Sequence, residues 1–212
     1  MARKQDDLGV LVGLAVDLLR CAGRALRPWR PEKPYLRART ISHLAWVGAD
    51  SLAIVDHERR ITYRDLQQHV EACRNRLYAA GVRVGDRVSI FSRNSADYIY
   101  AYMAIASLGA IAVPINFQLS SREIAYIIKD SGSRHILTYQ PLNLVDALAA
   151  LRCDMRVIQH DIRQAGKIDD SIPAAPPLPP TFDEQNPCVI IYTSGTTGAP
   201  KGAVLSHRNL IA

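Results

Sequence analysis

Cysteine is scarce in this chain, and where it occurs it is scattered. Cys21, Cys73, Cys153 and Cys188 form no C-x-x-C pair. That spacing argues against a zinc site or a disulfide framework and points to a reducing, cytoplasmic compartment. Each of the four reads as a packing residue rather than a reactive thiol. The six histidines form no ligand cluster, so no residue is assigned to a metal. Aromatics are only 7% of the chain and do not interleave with its basic residues. Acids are also short: 26 Lys and Arg against 20 Asp and Glu give a net charge of +6. The imbalance is local, because residues 1–40 hold nine Lys and Arg against four acids. The remainder is nearly neutral, and a nucleic-acid-binding function loses its support. What is present is an apolar content of 48% over 212 residues, enough for one buried core and too much for a disordered chain.

The basic N-terminal segment contains Leu8–Leu19, an apolar stretch of twelve residues interrupted by Asp17. Twelve residues cannot span a bilayer, and no small-residue cleavage site follows to suggest a signal peptide. On a helical wheel Asp6, Asp17, Arg20, Arg24 and Arg27 share one side, and Leu8, Leu11, Ala15, Leu18, Ala22 and Leu26 another. Residues 7–27 therefore fit a helix docked on the protein body, or one lying peripherally on an anionic membrane surface.

Further on, strand and helix signals alternate. Leu52–Val55 and Arg60–Thr62 predict a hairpin, and Thr62 with Asp65 caps a helix striped by Leu66, Val70, Cys73 and Leu77. Arg87–Ser92 reads as a strand, Ala96–Leu108 as a buried helix and Ala110–Ile115 as a strand. Ser120 and Glu123 form a second capping box on a helix that Gly132 closes. Arg134–Thr138, Leu142–Leu151 and Met155–Gln159 read as strand, helix and strand. This rhythm predicts an α/β fold with a doubly wound, largely parallel sheet. Tyr98, Tyr100, Tyr102 and Tyr126 read as packing against that sheet. The predicted organisation is a basic amphipathic segment at 1–40, an α/β subdomain at 41–160, a Pro-rich connector at 161–187, and a hairpin with the start of a helix at 188–212.

The hairpin carries the chemistry. Cys188–Tyr192 is an apolar strand that feeds Thr193, Ser194, Gly195, Thr196, Thr197 and Gly198, with Lys201 shortly after. Glycines let successive N–H groups curl around an anion, hydroxyls add donors, and the lysine brings a full charge for a phosphate. A Walker A loop does not fit: Gly195 and Gly198 are too close, Pro200 precedes the lysine, and Gly202–Leu205 reads as a strand rather than a helix. No G-x-S-x-G elbow surrounds Ser194, so it is not read as a nucleophile.

The stretch Tyr192–Ala212, YTSGTTGAPKGAVLSHRNLIA, resembles the signature of the adenylate-forming, or AMP-binding, superfamily. Ile61–Leu66, Gly85–Ile90, Leu108–Asn116 and Glu123–Gly132 extend the resemblance over roughly Ser42–Ala212. Val113-Pro-Ile-Asn116 is similar to the acyl-CoA synthetase branch. The resemblance implies the N-terminal part of the large domain of a two-step ligase. A carboxylic acid, here a fatty acid, attacks ATP to give acyl-AMP and pyrophosphate, and coenzyme A then displaces AMP. It implies that Thr193, Ser194, Thr196 and Thr197 donate hydrogen bonds to the ATP phosphates and that Gly195 and Gly198 shape the loop. Lys201 screens the phosphate charge as the catalytic residue. Mg2+ would accompany ATP, with its ligands outside this chain.

Ser206 reads as the cap of a helix starting near Asn209, with Leu210, Ile211 and Ala212 an apolar stub that has nothing to pack on. The stub, and the lack of the family's later motifs, give the expectation of a truncated ligase with little complete turnover of its own. Two further readings stay open: a short non-catalytic nucleotide-binding or interaction protein, and part of an amino-acid adenylation domain.

Overall fold

The computed structural model describes residues 49–193 and 199–211. The N-terminal helix expected at 7–27, Cys21, and the loop residues Ser194, Gly195, Thr196, Thr197 and Gly198 lie outside the described residues.

The described chain begins with the expected hairpin, β1 (Leu52–Asp56) and β2 (Arg59–Thr62), turned at His57 with φ 54°. Thr62 then caps α1 (Tyr63–Ala79). The Asp65 N–H donates to Thr62 Oγ1 at 3.2 Å and the Thr62 N–H to the Asp65 carboxylate at 3.0 Å. A cap of this kind is worth about 1 kcal/mol. Leu66, Val70, Cys73 and Leu77 are buried, as their spacing requires. The Asp56 carboxylate ties the hairpin to α2 (Ala96–Ser107) by accepting from the Ala96 N–H at 2.9 Å. That bond, with the adjacent Arg59 guanidinium, holds Asp56 below the usual carboxylate range.

Among the described residues the main sheet has six strands, in the order β6-β5-β3-β4-β7-β8. β3 (Arg87–Phe91), β4 (Ile111–Ile115), β5 (His135–Thr138), β6 (Ile158–Asp161) and β7 (Pro187–Thr193) are parallel, and β8 (Lys201–Ser206) is antiparallel to β7. Alternate strand residues face opposite cores. Val88, Ile90, Ala112, Leu137 and Val189 pack with α1 and α2 on one face. Val113, Ile115 and Ile136 pack with α3 (Ser121–Ser131) and α4 (Val145–Ala150) on the other. The sheet is thus doubly wound. Ser120 and Glu123 form the second capping box, and Gly132 ends α3 at φ 69°, the left-handed region that favours glycine.

Three element boundaries moved. α4 starts at Val145 rather than Leu142, because the Gln159 side chain takes both the N–H and the C=O of Leu142, each at 2.8 Å. β6 begins at Ile158 rather than Met155: Met155 and Val157 pack into the α3–α4 core from a loop, so their apolarity serves burial, not strand pairing. The helix at the end, α6, starts at His207 rather than near Asn209. Ser206 is its cap, with the Asn209 N–H donating to Ser206 Oγ at 3.3 Å. Leu210 and Ile211 are not a bare stub, since both pack against Ala106 and Cys188.

The stretch after β6 opens with a one-turn helix, α5 (Ile162–Ala165), and then runs extended along α1. Arg74, nearly buried, donates to the carbonyls of Ala175 at 3.1 Å and of Pro176. Asn75 accepts from the Ala175 N–H at 2.8 Å, and the His69 ring meets the Gly166 carbonyl at 2.9 Å. Ile172, Ala175 and Leu178 turn inward while Pro173, Pro176, Pro177, Pro179 and Pro180 stay exposed. Burial at every third residue is the period of a polyproline II strand.

Candidate nucleotide-binding site

β7 is anchored by Cys188 and Val189, both fully buried, and rises to an exposed Thr193 at its carboxyl end. Because β7 is parallel to β4, that end lies on the edge of the sheet where open α/β folds collect their ligands. β8 returns from Lys201, and the register pairs Thr193 with Lys201 and Tyr192 with Gly202. The hairpin therefore brings two of the expected site residues, Thr193 and Lys201, face to face across the root of the 194–200 loop, about 5 Å apart at their Cα atoms. Among the described residues no carboxylate lies within ion-pair distance of the exposed Lys201 ammonium, so its charge is available to an anion.

Two residues that sequence reasoning passed over shape this root. The Tyr192 hydroxyl donates to the Asp130 carboxylate near the end of α3 at 2.6 Å. Burial, together with that bond, pushes the Tyr192 phenol above its ordinary range. Opposite it, a Cβ on Gly202 would stand 3.0 Å from Tyr192 Cζ and 2.7 Å from Ile190 Cγ2, so the ring and the strand meet only because residue 202 has no side chain. A signal for Asp130 did exist: a carboxylate in the last turn of a helix sits against the negative end of the helix dipole.

Other candidates resolve into packing. His207 is fully buried at the start of α6, edge-on to Phe182 at 5.3 Å between ring centroids. Burial pushes the Cys73 and Cys188 thiols up to about 12, leaving them protonated and unreactive near neutral pH. Tyr98 and Tyr100 are buried among the helices, as expected, and Tyr102 and Tyr126 pack against the cores. Among the described residues no group of three or more His, Cys, Asp or Glu is placed to hold a metal ion. Among them, too, no helix is long and apolar enough to cross a membrane.

An open, doubly wound α/β unit with a Ser/Thr/Gly/Lys hairpin at its carboxyl edge has the layout of nucleotide-binding α/β domains. This chain belongs to the AMP-binding enzyme family, whose model matches residues 44–212. It is 38% identical over 178 residues to a feruloyl-CoA synthase of an Amycolatopsis species, covering 84% of this chain and 33% of that protein. It is 34% identical over 158 residues to a long-chain-fatty-acid–CoA ligase of Thermus thermophilus, covering 72% of this chain and 29% of the relative. Among solved structures it resembles the o-succinylbenzoate coenzyme A synthetase of Bacillus subtilis in complex with AMP. The TM-score there is 0.62 at 27% identity, over 76% of this chain and 40% of that one. The chain thus spans about a third of the length of these curated relatives.

Proposed function

We propose that residues 188–206 hold the β- and γ-phosphates of ATP in an ATP-dependent acid–coenzyme A ligase of which this chain supplies the N-terminal part. The observation that carries the reading is the pairing of Thr193 with Lys201 at the root of the loop, on the carboxyl edge of the sheet. Thr193, Ser194, Thr196 and Thr197 would donate hydrogen bonds to phosphate oxygens, with Gly195 and Gly198 letting the backbone close around them. Lys201 would stabilise the charge that builds on pyrophosphate as it leaves. The family's chemistry forms no bond to the enzyme, so the protein contributes position and electrostatics. Mg2+ would offset further phosphate charge when bound.

The acid is a fatty acid in this reading, supported by the Thermus relative's name. The higher identity to a feruloyl-CoA synthase favours an aryl-substituted acid as the second reading. We place the division of the chain at 1–40, 41–160, 161–187 and 188–212, with the hairpin as the ligand-bearing part and a cytoplasmic location. Any peripheral membrane contact would come from residues 7–27.

Calorimetric titration of the 212-residue chain with MgATP tests the site. Lys201→Ala is expected to weaken binding about tenfold or more, the loss of one charge-assisted phosphate contact. Unchanged affinity would remove Lys201 from the site. Complete turnover to acyl-CoA is expected to be slight for this chain alone, and robust thioester formation would overturn that expectation.

A further inference from the structure

Three features near the loop meet at one point, and two of them break a local rule. Asp130 places a carboxylate in the last turn of α3, where the helix dipole disfavours it. Gly202 places a glycine inside a strand, where it weakens the pairing it takes part in. Tyr192 places a half-buried phenol at the rim of the α3–α4 core, beside the exposed loop root. Each is explained by the others. The Tyr192 ring fills the space a side chain at 202 would need, and its hydroxyl closes on the Asp130 carboxylate at 2.6 Å. One side chain therefore touches both strands of the hairpin and ties them to α3, sixty-two positions away in sequence.

We infer that Tyr192, held by Asp130, is a positioning residue that fixes the root of the phosphate loop. The inference rests on the reading of the hairpin as a phosphate site. Tyr192 pairs with Gly202 one step below the Thr193–Lys201 pair, so the orientation of its ring sets the twist with which both ligand-bearing residues leave the sheet. Among the described residues β8 gets little help elsewhere at this end: it is the outermost strand, and Lys201 to Val204 are exposed. Without the clamp the strand pairing alone would hold Thr193 and Lys201, and the root would be less well fixed before it met a nucleotide.

Two measurements on the 212-residue chain decide this. Lys201 is the sole tryptic position between Thr193 and Ser206, so the rate of cleavage at the Lys201–Gly202 bond reports order at the loop root. Calorimetry with MgATP reports the site. Tyr192→Phe, which removes only the hydroxyl, is expected to speed that cleavage and to weaken MgATP about fivefold. Asp130→Leu is expected to do the same. Asp130→Asn keeps an acceptor for the hydroxyl and is expected to recover most of both losses. Wild-type cleavage and affinity in Tyr192→Phe would overturn the inference. So would a variant that is cut faster at every tryptic site in step with a lowered unfolding midpoint, since that is a general loss of stability. If Lys201→Ala weakens MgATP while Tyr192→Phe does not, only the clamp falls. If the wild-type chain does not bind MgATP, the phosphate-site reading falls, and the cleavage rates still decide whether Tyr192 orders the root.

Discussion

The central strand β3 and the edge strand β8 lie three positions apart in one sheet and are built on opposite terms. Val88, Ser89 and Ile90 of β3 are fully buried between two helical layers. Four of the six residues of β8 are exposed, and among the described residues one of its backbone edges has no neighbour in the sheet. The first region spends its side chains on packing and the second leaves most of its own in solvent. Buried strands of this kind supply stability, and exposed edge segments are where binding residues are commonly carried.

That contrast can be broken from its stable side. Ile128→Ala removes a fully buried side chain between α3 and the sheet. It should cost about 2–5 kcal/mol in denaturant-induced unfolding. A smaller loss would mean that the α3 face can collapse around the hole.

Acid should weaken the far edge of the sheet before it weakens the carboxylate contacts. His135 Nδ1 and His160 Nε2 stand 3.0 Å apart between β5 and β6, with rings inclined by only 10°. Burial lowers both pKa values, and it takes His160 to about 4 from an ordinary 6.5. With the folded pKa below the unfolded one, the unfolded chain takes up the proton first. The stabilisation is therefore complete above about 6.5 and lost as the pH falls towards 4. Asp56, Asp65 and Asp161 also have lowered values, so their contributions fade only below their ordinary 3.8. Unfolding midpoints measured from pH 7 to pH 3 should show the histidine limb first, and His160→Gln should flatten it. A flat profile down to pH 4 would remove the pair from the stability balance.

Thr62→Ala takes the reciprocal cap from α1 and should cost about 1 kcal/mol, read by the same unfolding experiment. At the other end of the scale, Val204→Thr on exposed β8 should stay within about 0.5 kcal/mol. A larger effect there would show that β8 is covered in solution.

Where the chain announces an element through its own neighbours, the sequence was a reliable guide. Both capping boxes and the helix closed by Gly132 depend on residues within four positions, and all three are present as read. Met155 and Val157 misled, because an apolar pair leading into a strand looks like part of it whether it pairs or merely packs. Leu142 failed for a related reason: the Gln159 amide that holds it out of the helix comes from seventeen residues downstream. At the candidate site, the hairpin that pairs Thr193 with Lys201 was legible because its strand and turn signals are local. Asp130 was not, because nothing near it in sequence says that a tyrosine will reach it.

The sequence by itself determined the alternation of strands and helices, the two capping boxes, and the Ser/Thr/Gly/Lys order between β7 and β8. Those are properties of residue type and short spacing. Only the tertiary structure decided which core each face of the sheet serves, how Arg74 ties the proline-rich stretch to α1, and that Tyr192 joins Gly202 to Asp130 beneath the loop. Those contacts join distant positions, and their energies depend on burial and approach distances that exist only once the sheet has formed.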